Sequence, residues 1–533
     1  MILVSVCLCF ILPTTLKNNN NGKWKAVNNI LSSGPISPIL IDDTDTNDWA
    51  WASTQAWFSG GSGVEGDPYV LKDLIIDGGG VSDCITIKNS NTHFKIQNCT
   101  VYNAGFGDGI CLNNVSNGII ALNNCSNIYY FGISLDESCY NHIEGNFMDG
   151  NDGGAGINLR LSHNNTIGAN QIKNKYQGIR LEMSSENVIA DNTAEENVNY
   201  GILVMTASNH NTISSNTAKN QTFESGIMIL NSEHNTVTEN FVSDNKKAGI
   251  DIDGSSFNTV SGNTIFNNDQ YGISIWTNQS SISSNENVFT ENIIYGNKNG
   301  VFLYNASNNQ ISDNEITNND QIGIAIGLNG NNTIITNNQF LTNGNHAIDN
   351  GANNVWDGNY WDNYSASDDN NDGIGDVPYD ITGNANSKDF LPIWDDRAPI
   401  VEIIAPEPGL LVGRDAPEFM VYIYDPNLDK MWYTIDADNI PFSTNGTIDQ
   451  QHWETLWDVL GQGDTITLTF YANDTYGHIG LDFVELEKEI PGIPSNGIGL
   501  NYGITLFFIL IFGGISIVSI ISKLYHKKQI VQS

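Results

Sequence analysis
The sequence predicts an all-β chain: a right-handed parallel β-helix, then a small immunoglobulin-like β-sandwich and one C-terminal transmembrane helix. Three observations predict it. A glycine followed by Ile or Val recurs at Gly109, Gly132, Gly156, Gly178, Gly201, Gly226, Gly249, Gly272, Gly300 and Gly323, mostly in steps of 22 to 25 residues. An asparagine column runs in phase with it, through Asn146, Asn170, Asn192, Asn216, Asn240, Asn263, Asn292, Asn314, Asn337 and Asn359. Beyond the repeats, the stretch from Gly503 to Ile521 is almost wholly apolar, about the ~20 residues a spanning helix needs.

The repeat reads N-T-I-x-x-N, as in NTISSN at 211–216, then G-I-x-Φ and a polar turn. Apolar positions alternate with polar ones, the period of a strand with one buried face. A unit of two or three such strands cannot bury its own apolar side, so units stack with parallel strands ~4.8 Å apart. Asparagines at fixed turn positions can bond from coil to coil. The L-x-x-L-x-L frame of leucine-rich repeats is missing.

The limits of the pattern set the domains. Residues 30–82, with Trp49, Trp51 and Trp57, read as an N-terminal cap, since terminal repeats of solenoids are atypical. The β-helix takes 83–397. Residues 398–489 change to alternating segments such as FMVYIYD and TITLTFYAND between Pro, Gly and Asp turns, which reads as an immunoglobulin-like antiparallel sandwich. A linker at 490–502 leads into the spanning helix, 503–522. The basic tail 523–533, with Lys523, Lys527 and Lys528, puts the C-terminus inside and the rest of the chain outside. Residues 1–16 hold a short apolar run like a signal peptide, without a basic start. Sequons such as Asn98-Cys99-Thr100 and Asn473-Asp474-Thr475 fit an exported surface.

Acids outnumber bases 60 to 22 in the 533 residues, a formal charge of −38, which argues against a nucleic-acid partner and favours divalent cations. Of seven cysteines, Cys84, Cys99, Cys111, Cys125 and Cys139 crowd one region without metal spacing. Cys99 and Cys125 each follow Asn and precede Thr or Ser, which places them at equivalent positions on successive coils, able to stack or pair. The odd number argues for buried thiols over a full disulfide framework.

From about Asp83 to Asn359 the GIxL and NTIxxN repeats resemble the NosD-type and carbohydrate-binding/sugar-hydrolysis β-helix proteins, archaeal surface proteins among them. The segment GNYWDNYSASDDNNDGIGDVPYDI at 358–381 resembles the element that closes NosD-like helices. The resemblance implies the β-helix fold, but lyases, epimerases, tailspikes and non-catalytic surface proteins share the repeat, so function is argued from the site.

Outward positions of the G-I-x-Φ strand give, coil by coil, Ser134 and Asp136, Asn158 and Arg160, Arg180 and Glu182, Leu203 and Met205, Met228 and Leu230, Asp251 and Asp253, Ser274 and Trp276, Phe302 and Tyr304. A charged zone, an apolar zone and an aromatic zone beside paired acids follow one another. Aromatic C–H stacking beside carboxylates that bind hydroxyls suits sugars, with Trp276, Phe302 and Tyr304 as ligand-binding candidates. An exposed sheet without a ligand is the plain alternative. For hydrolysis, two carboxylates must flank the scissile bond, and Asp251 with Asp253 or Glu182 with Asp136 are candidates. For a lyase or epimerase, Arg160 and Arg180 supply the charge that neutralises an acid.

The run Asp368-Asp369-Asn370-Asn371-Asp372-Gly373-Ile374-Gly375-Asp376 matches the first part of an EF-hand-like calcium loop. Its expected ligands are Asp368, Asn370, Asp372, the Ile374 carbonyl, Asp376 and Asp380; Tyr379 stands where that loop has its bidentate Glu. Locking the end of the helix is the expected role of Ca²⁺. The NosD likeness brings copper into consideration, for which His210 and His234 share a repeat position, with His163 and Glu186 at corresponding earlier places. No Cys/Met/His cluster accompanies them. The reading is therefore an extracytoplasmic, membrane-anchored surface protein that recognises a polysaccharide or displays a structural face. A polysaccharide lyase, epimerase or hydrolase is its rival, and copper-site maturation a weaker third.

Overall fold
The computed structural model describes residues 34–150, 153–277, 284–370, 372–394, 399–425, 428–435, 438–461, 463–474 and 478–488. The signal-like segment, the linker, the apolar span 503–522 and the basic tail all lie outside these residues. Among the described residues no helix is long and apolar enough to cross a membrane. The chain divides into two compact units, 1–394 and 395–533.

The first unit is a parallel β-helix. Its first sheet has thirteen strands, from Ile39–Asp42 to Asn345–Asp349, and its second has fifteen, starting at Tyr69–Lys72. The third has ten, from Phe147–Asp149 to Tyr360–Trp361, and the pair Ile75–Asp77 and Thr100–Tyr102 forms a separate two-stranded sheet. Register is exact to the residue in the first sheet: Ile157, Ile179, Ile202, Ile227, Ile250, Ile273, Val301 and Ile324 lie side by side on successive strands. Each is fully buried. A slip of one residue would turn this column out to water, so the buried face fixes the register.

Three asparagine ladders bind the turns. Between the second and third sheets, Asn216 donates from its Nδ2 to Asn240 Oδ1 at 3.0 Å and to the Ile189 carbonyl at 2.8 Å, while its backbone N–H donates to the same Oδ1. The pattern repeats from Asn123 through Asn146, Asn170 and Asn192 to Asn338 and Asn359. A second ladder, Asn141 to Asn309, closes the preceding turn. A third passes through Asn197, Gln221, Asn245, Asn268, Asn297, Asn319 and Asn343, where the turn leads back to the first sheet. Just before each member of the first ladder the backbone is left-handed, as at Asp191, Ser215 and Glu239 with φ of 58, 54 and 56°. For a residue with a Cβ this costs about 1–2 kcal/mol, which the next asparagine's bonds offset.

The ladders correct three assignments. Asn338, not Asn337, is the ladder member; Asn337 takes the left-handed place with φ 56°. The residue equivalent to His210 and His234 in the coil of His163 is Asn164, at φ 56°, so His163 is one place off that column. Cys99 aligns with Asn123, whose Oδ1 accepts its N–H, and Thr100 with Asn124, so Cys99 and Cys125 are not equivalent. The local NCT and NCS likeness misleads because the coil length between them differs from the spacing of the ladder. All five described cysteines are free thiols; Cys84, Cys99 and Cys125 are buried.

Both ends of the helix are covered. At the start, Asp48 caps the short helix Trp49–Ala52. Buried Trp49 stacks on Tyr69 at 5.1 Å and donates to Ser90 Oγ. At the other end the first ladder stops on Asp389, fully buried, whose carboxylate accepts from Asn359 N and Nδ2 and from Trp361 Nε1 at 3.0–3.1 Å. Asp349, also fully buried, accepts from Trp356 Nε1, Ser387 Oγ and Asn354 Nδ2. A carboxylate accepts but does not donate, so it ends a ladder that an asparagine would continue.

The second unit has a three-stranded sheet, Ile400–Ala405, Glu418–Tyr424 and Gly446–Thr447, and a five-stranded one containing Leu428–Ile435, Thr465–Asp474 and Ile479–Lys488. Phe419, Tyr433, Leu468, Phe470 and Leu486 form its core. One pairing, Leu411–Val412 on Ile479–Lys488, is parallel, and Gln450–Val459 is a helix, where only antiparallel strands were expected. Asp449 caps that helix, and Trp453, Leu456, Trp457 and Leu460 recur at helical spacing against the core.

Candidate functional site
The outward columns of the first sheet stand in the expected register. Ser134, Asn158, Arg180, Leu203, Met228, Asp251, Ser274 and Phe302 form one column, and Asp136, Arg160, Glu182, Met205, Leu230, Asp253, Trp276 and Tyr304 the other. Their exposure differs from a bare sheet face. Leu203, Met228, Asp251 and Ser274 face away from the core yet are only 3–6% exposed.

In the charged zone the ions pair with each other: Arg160 with Asp136 at 2.6 Å, and Arg180 with Glu182 at 2.7 Å, Arg180 also donating to Asn158. Pairs this exposed are worth little in stability. Near them burial pushes the Asp108 carboxyl up to about 7, with neighbouring Asp83 adding to the effect.

The centre is built around Asp251. It accepts from the Ser274 hydroxyl and from Trp276 Nε1 at 3.0 Å, and Ser225 Oγ lies 3.5 Å away. Burial pushes its carboxyl up to about 6; Asp253 adds to the shift and the bonds from Ser274 and Trp276 oppose it. Burial also raises Asp253. The Tyr200 hydroxyl is raised by burial, then by Glu224, Asp251 and Asp253. Lys247 pairs with Glu224 at 2.5 Å. Toward the C-terminal end Tyr271 stacks on Phe302 at 4.9 Å, and Phe302 lies parallel to Tyr304 at 6.4 Å. A shallow open depression beside them is lined by Lys246, Asp269, Gln270, Tyr271, Lys298 and Asn299.

So the fold brings Asp251, Asp253, Trp276, Phe302 and Tyr304 together, and leaves Asp136, Arg160, Arg180 and Glu182 as a separate paired group. Tyr200, Lys247 and Tyr271 were not anticipated. Their signal is position: each lies one or two residues before a G-I dipeptide, where the third turn meets the first sheet.

His210 and His234 stack with centroids 4.9 Å apart and planes 2° from parallel, and Phe257 continues the stack at 5.0 Å. His163 instead accepts on Nδ1 from Ser185 N–H. In the acidic loop Asp368 accepts from the N–H groups of Asp372 and Gly373, Asn370 from Asp372, Asp372 from Ile374, and Asp376 from Asp369. Gly373 has φ 81°, the sharp turn its place requires. Asp380 is ion-paired with Lys388. Among the described residues no group of three or more His, Cys, Asp or Glu is arranged to hold a metal ion.

The family model described as periplasmic copper-binding protein (NosD) matches residues 65–223 and 205–366, more than half of the chain. No curated protein matches the sequence. Similar solved structures include a mutant of the periplasmic alginate epimerase AlgG, at 16% identity and TM-score 0.46, covering 61% of this chain and 85% of that one. Another is the A-module of a mannuronan C-5 epimerase of Azotobacter vinelandii, at 14% and 0.35, covering 58% and 80%. A third is the catalytic domain of a GH87 α-1,3-glucanase, at 16% and 0.43, covering 52% and 64%.

Proposed function
The chain belongs to the NosD family, and from that premise we propose that it is an exported surface protein that recognises glycans on the outer face of its first sheet. The observation that carries the reading is the aromatic group Trp276, Phe302, Tyr304 and Tyr271, set beside the carboxyls of Asp251 and Asp253 and an open polar depression. Rings offer faces to sugar C–H groups, and Asp253, Gln270 and Asn299 offer hydrogen bonds to hydroxyls, while buried Asp251 holds Trp276 through its indole N–H. In this reading the apolar span 503–522 anchors the protein, and the second unit serves as an immunoglobulin-like stalk. The loop Asp368–Asp376 takes Ca²⁺ through Asp368, Asn370, Asp372, the Ile374 carbonyl and Asp376, and steadies the closing element. The order of the oxygen-bearing residues supports this; their side chains are bonded to backbone N–H groups of the loop and would turn toward the ion on binding, and Asp380, engaged by Lys388, is the weakest of the expected ligands.

The test is to titrate the purified full-length chain with neutral and uronate oligosaccharides while recording new reducing or unsaturated ends. Binding without new ends, weakened at least tenfold by Trp276→Ala or Tyr304→Ala, is expected. No binding to any of them would remove the reading.

An enzyme is the second reading: Asp251 and Asp253 stand two residues apart on one strand of the face, and burial raises both carboxyls. New ends that disappear in Asp251→Asn would establish it. Copper fits less well. The parallel planes of His210 and His234 send their in-plane lone pairs side by side, not to one point, and no third donor group accompanies them among the described residues. Stoichiometric copper binding lost on His210→Ala with His234→Ala would reverse this.

A further inference from the structure
The outer face of the second sheet differs from the other two faces of the helix. The residues at its strand centres, such as Ile189, Ile213, Val237, Val260 and Ile311, are fully buried, so the residue on each side of them points outward. Over the eight coils from Thr166–Gly168 to Ile334–Thr336 these outward residues form two rows in register. The first row holds Thr212, Thr236 and Thr259 on successive coils, and the second is Ser or Thr on six coils running, from Ser214 to Thr336. Val, Ile, Ala, Gly and Gln fill most of the other places. Neither row holds a charge, in a chain of 60 acids and 22 bases. Over the same coils the first sheet presents Arg180, Asp251 and Asp253, and the third presents Lys173, Glu195 and Lys219.

Each of these strands is clamped between two ladders: Asn211 and Asn216 flank Thr212–Ser214, and Asn235 and Asn240 flank Thr236–Thr238. The spacing of the hydroxyls is therefore set by the backbone, ~4.8 Å from coil to coil and ~6.6 Å along a strand. Two O–H···O bonds of ~2.75 Å that meet at a tetrahedral water oxygen span ~4.5 Å, so one water bridges hydroxyls on successive coils. Ser261 donates to Thr238 Oγ1 at 3.3 Å and Ser312 to Thr290 Oγ1 at 3.4 Å, while Thr212, Ser214, Thr236, Thr259 and Thr336 make no side-chain hydrogen bond among the described residues. Turn serines behave differently, for Ser184 and Ser208 bond back to carbonyls. The methyl groups of Thr, Val and Ile beside the free hydroxyls bind no water, which leaves the neighbouring waters bonded to one another.

We propose that this face binds a lattice of ordered water, the surface of ice. The rows are ~34 Å long and ~7 Å apart, a strip of ~240 Å², far less than the ~800 Å² per partner that a stable protein interface buries. Neither row holds an aromatic ring on which a sugar would stack. A face without charge fits an uncharged lattice, and the acids stand at its rim, as Asp191, Glu239, Glu291 and Asp313 do in the left-handed places after the second row. The proposal is independent of the glycan reading of the first sheet.

The test is nanolitre osmometry of the full-length chain at millimolar concentration, with the shape of the ice crystals recorded. A gap between the melting and freezing points and faceted crystals are expected. Thr236→Tyr with Thr238→Tyr, at mid-face, should cut the gap at least fivefold and leave the urea midpoint of unfolding unchanged, because Tyr suits a strand as well as Thr does. Val288→Thr, which lengthens the first row by one coil, should widen the gap, and Lys173→Gln on the third sheet should leave it as it is. Round crystals without a gap, or a gap that the double change does not reduce, would overturn the proposal. So would retention on crystalline cellulose or chitin that the double change abolishes in a chain without effect on ice, an outcome that would assign the face to a neutral polysaccharide instead.

Discussion
The turns between the second and third sheets and the outer face of the first sheet come from the same coils, yet they follow opposite rules. Along the turns one residue type recurs, from Asn123 to Asn359, each making the same two side-chain bonds. Along the face the equivalent position runs Ser134, Asn158, Arg180, Leu203, Met228, Asp251, Ser274, Phe302. The ladder cannot vary because each asparagine supplies groups that its neighbours need, and the buried backbone has no water to take their place. The face has no such obligation, so its variation is available for recognition. Repetition within one chain thus separates what holds the solenoid together from what it presents.

Breaking the ladder at its end should cost most. Asp389→Ala leaves Asn359 N and Trp361 Nε1 buried without an acceptor and takes one of the two acceptors of Asn359 Nδ2, which keeps the Ile335 carbonyl, a loss of about 3–5 kcal/mol by urea unfolding. Asp389→Asn, which keeps one acceptor oxygen, should lose less. In the middle, Asn338→Ala should cost about 2–4 kcal/mol, whereas Asn337→Gly, at φ 56°, should be neutral or stabilising. That pair sharpens the assignment, for two adjacent asparagines should differ in sign.

The face contributes a pH dependence through Asp251. Asp251 is raised from 3.8 to about 6 in the folded state, so between those values the folded chain holds a proton that the unfolded chain has released. Its contribution is fully present below the unfolded pKa and is lost as pH rises through about 6, about 3 kcal/mol in all. Unfolding of wild type and Asp251→Asn from pH 4 to 7 should differ by this slope, the variant being flatter. Calcium at saturating excess should add about 1–3 kcal/mol to thermal stability, an effect that Asp368→Ala abolishes. Smallest of all, Tyr304→Ala should change stability by less than about 1 kcal/mol while removing glycan binding; a large stability loss would make the aromatic a structural residue.

Much of this was legible in the sequence. The G-I-x-Φ frame fixes strand register, so both columns of the face could be read coil by coil. The Asn337–Asn338 pair could not be resolved, since the two residues are chemically alike and only the bond to the Ile311 carbonyl marks the ladder member. His163 was misplaced for the same reason, because two asparagines follow it. The third ladder went unread where Lys175 and Gln221 stand in place of asparagine; Lys175 donates instead to the carbonyls of Ile128 and Tyr130. Nor could alternation reveal that Asp251 is buried, since Tyr200 and Ser225, which lie beside it, come from turns of other coils. Strand period tells which way a side chain points, not what lies over it.

The most direct test of the central claim is hydroxyl-radical footprinting of the full-length chain with and without the neutral or uronate oligosaccharide that it binds. The account predicts protection of Trp276, Phe302 and Tyr304, with His210, His234 and the other residues beside the asparagine ladders unchanged. Protection confined to the ladder side, or none on the first sheet despite measured binding, would contradict it.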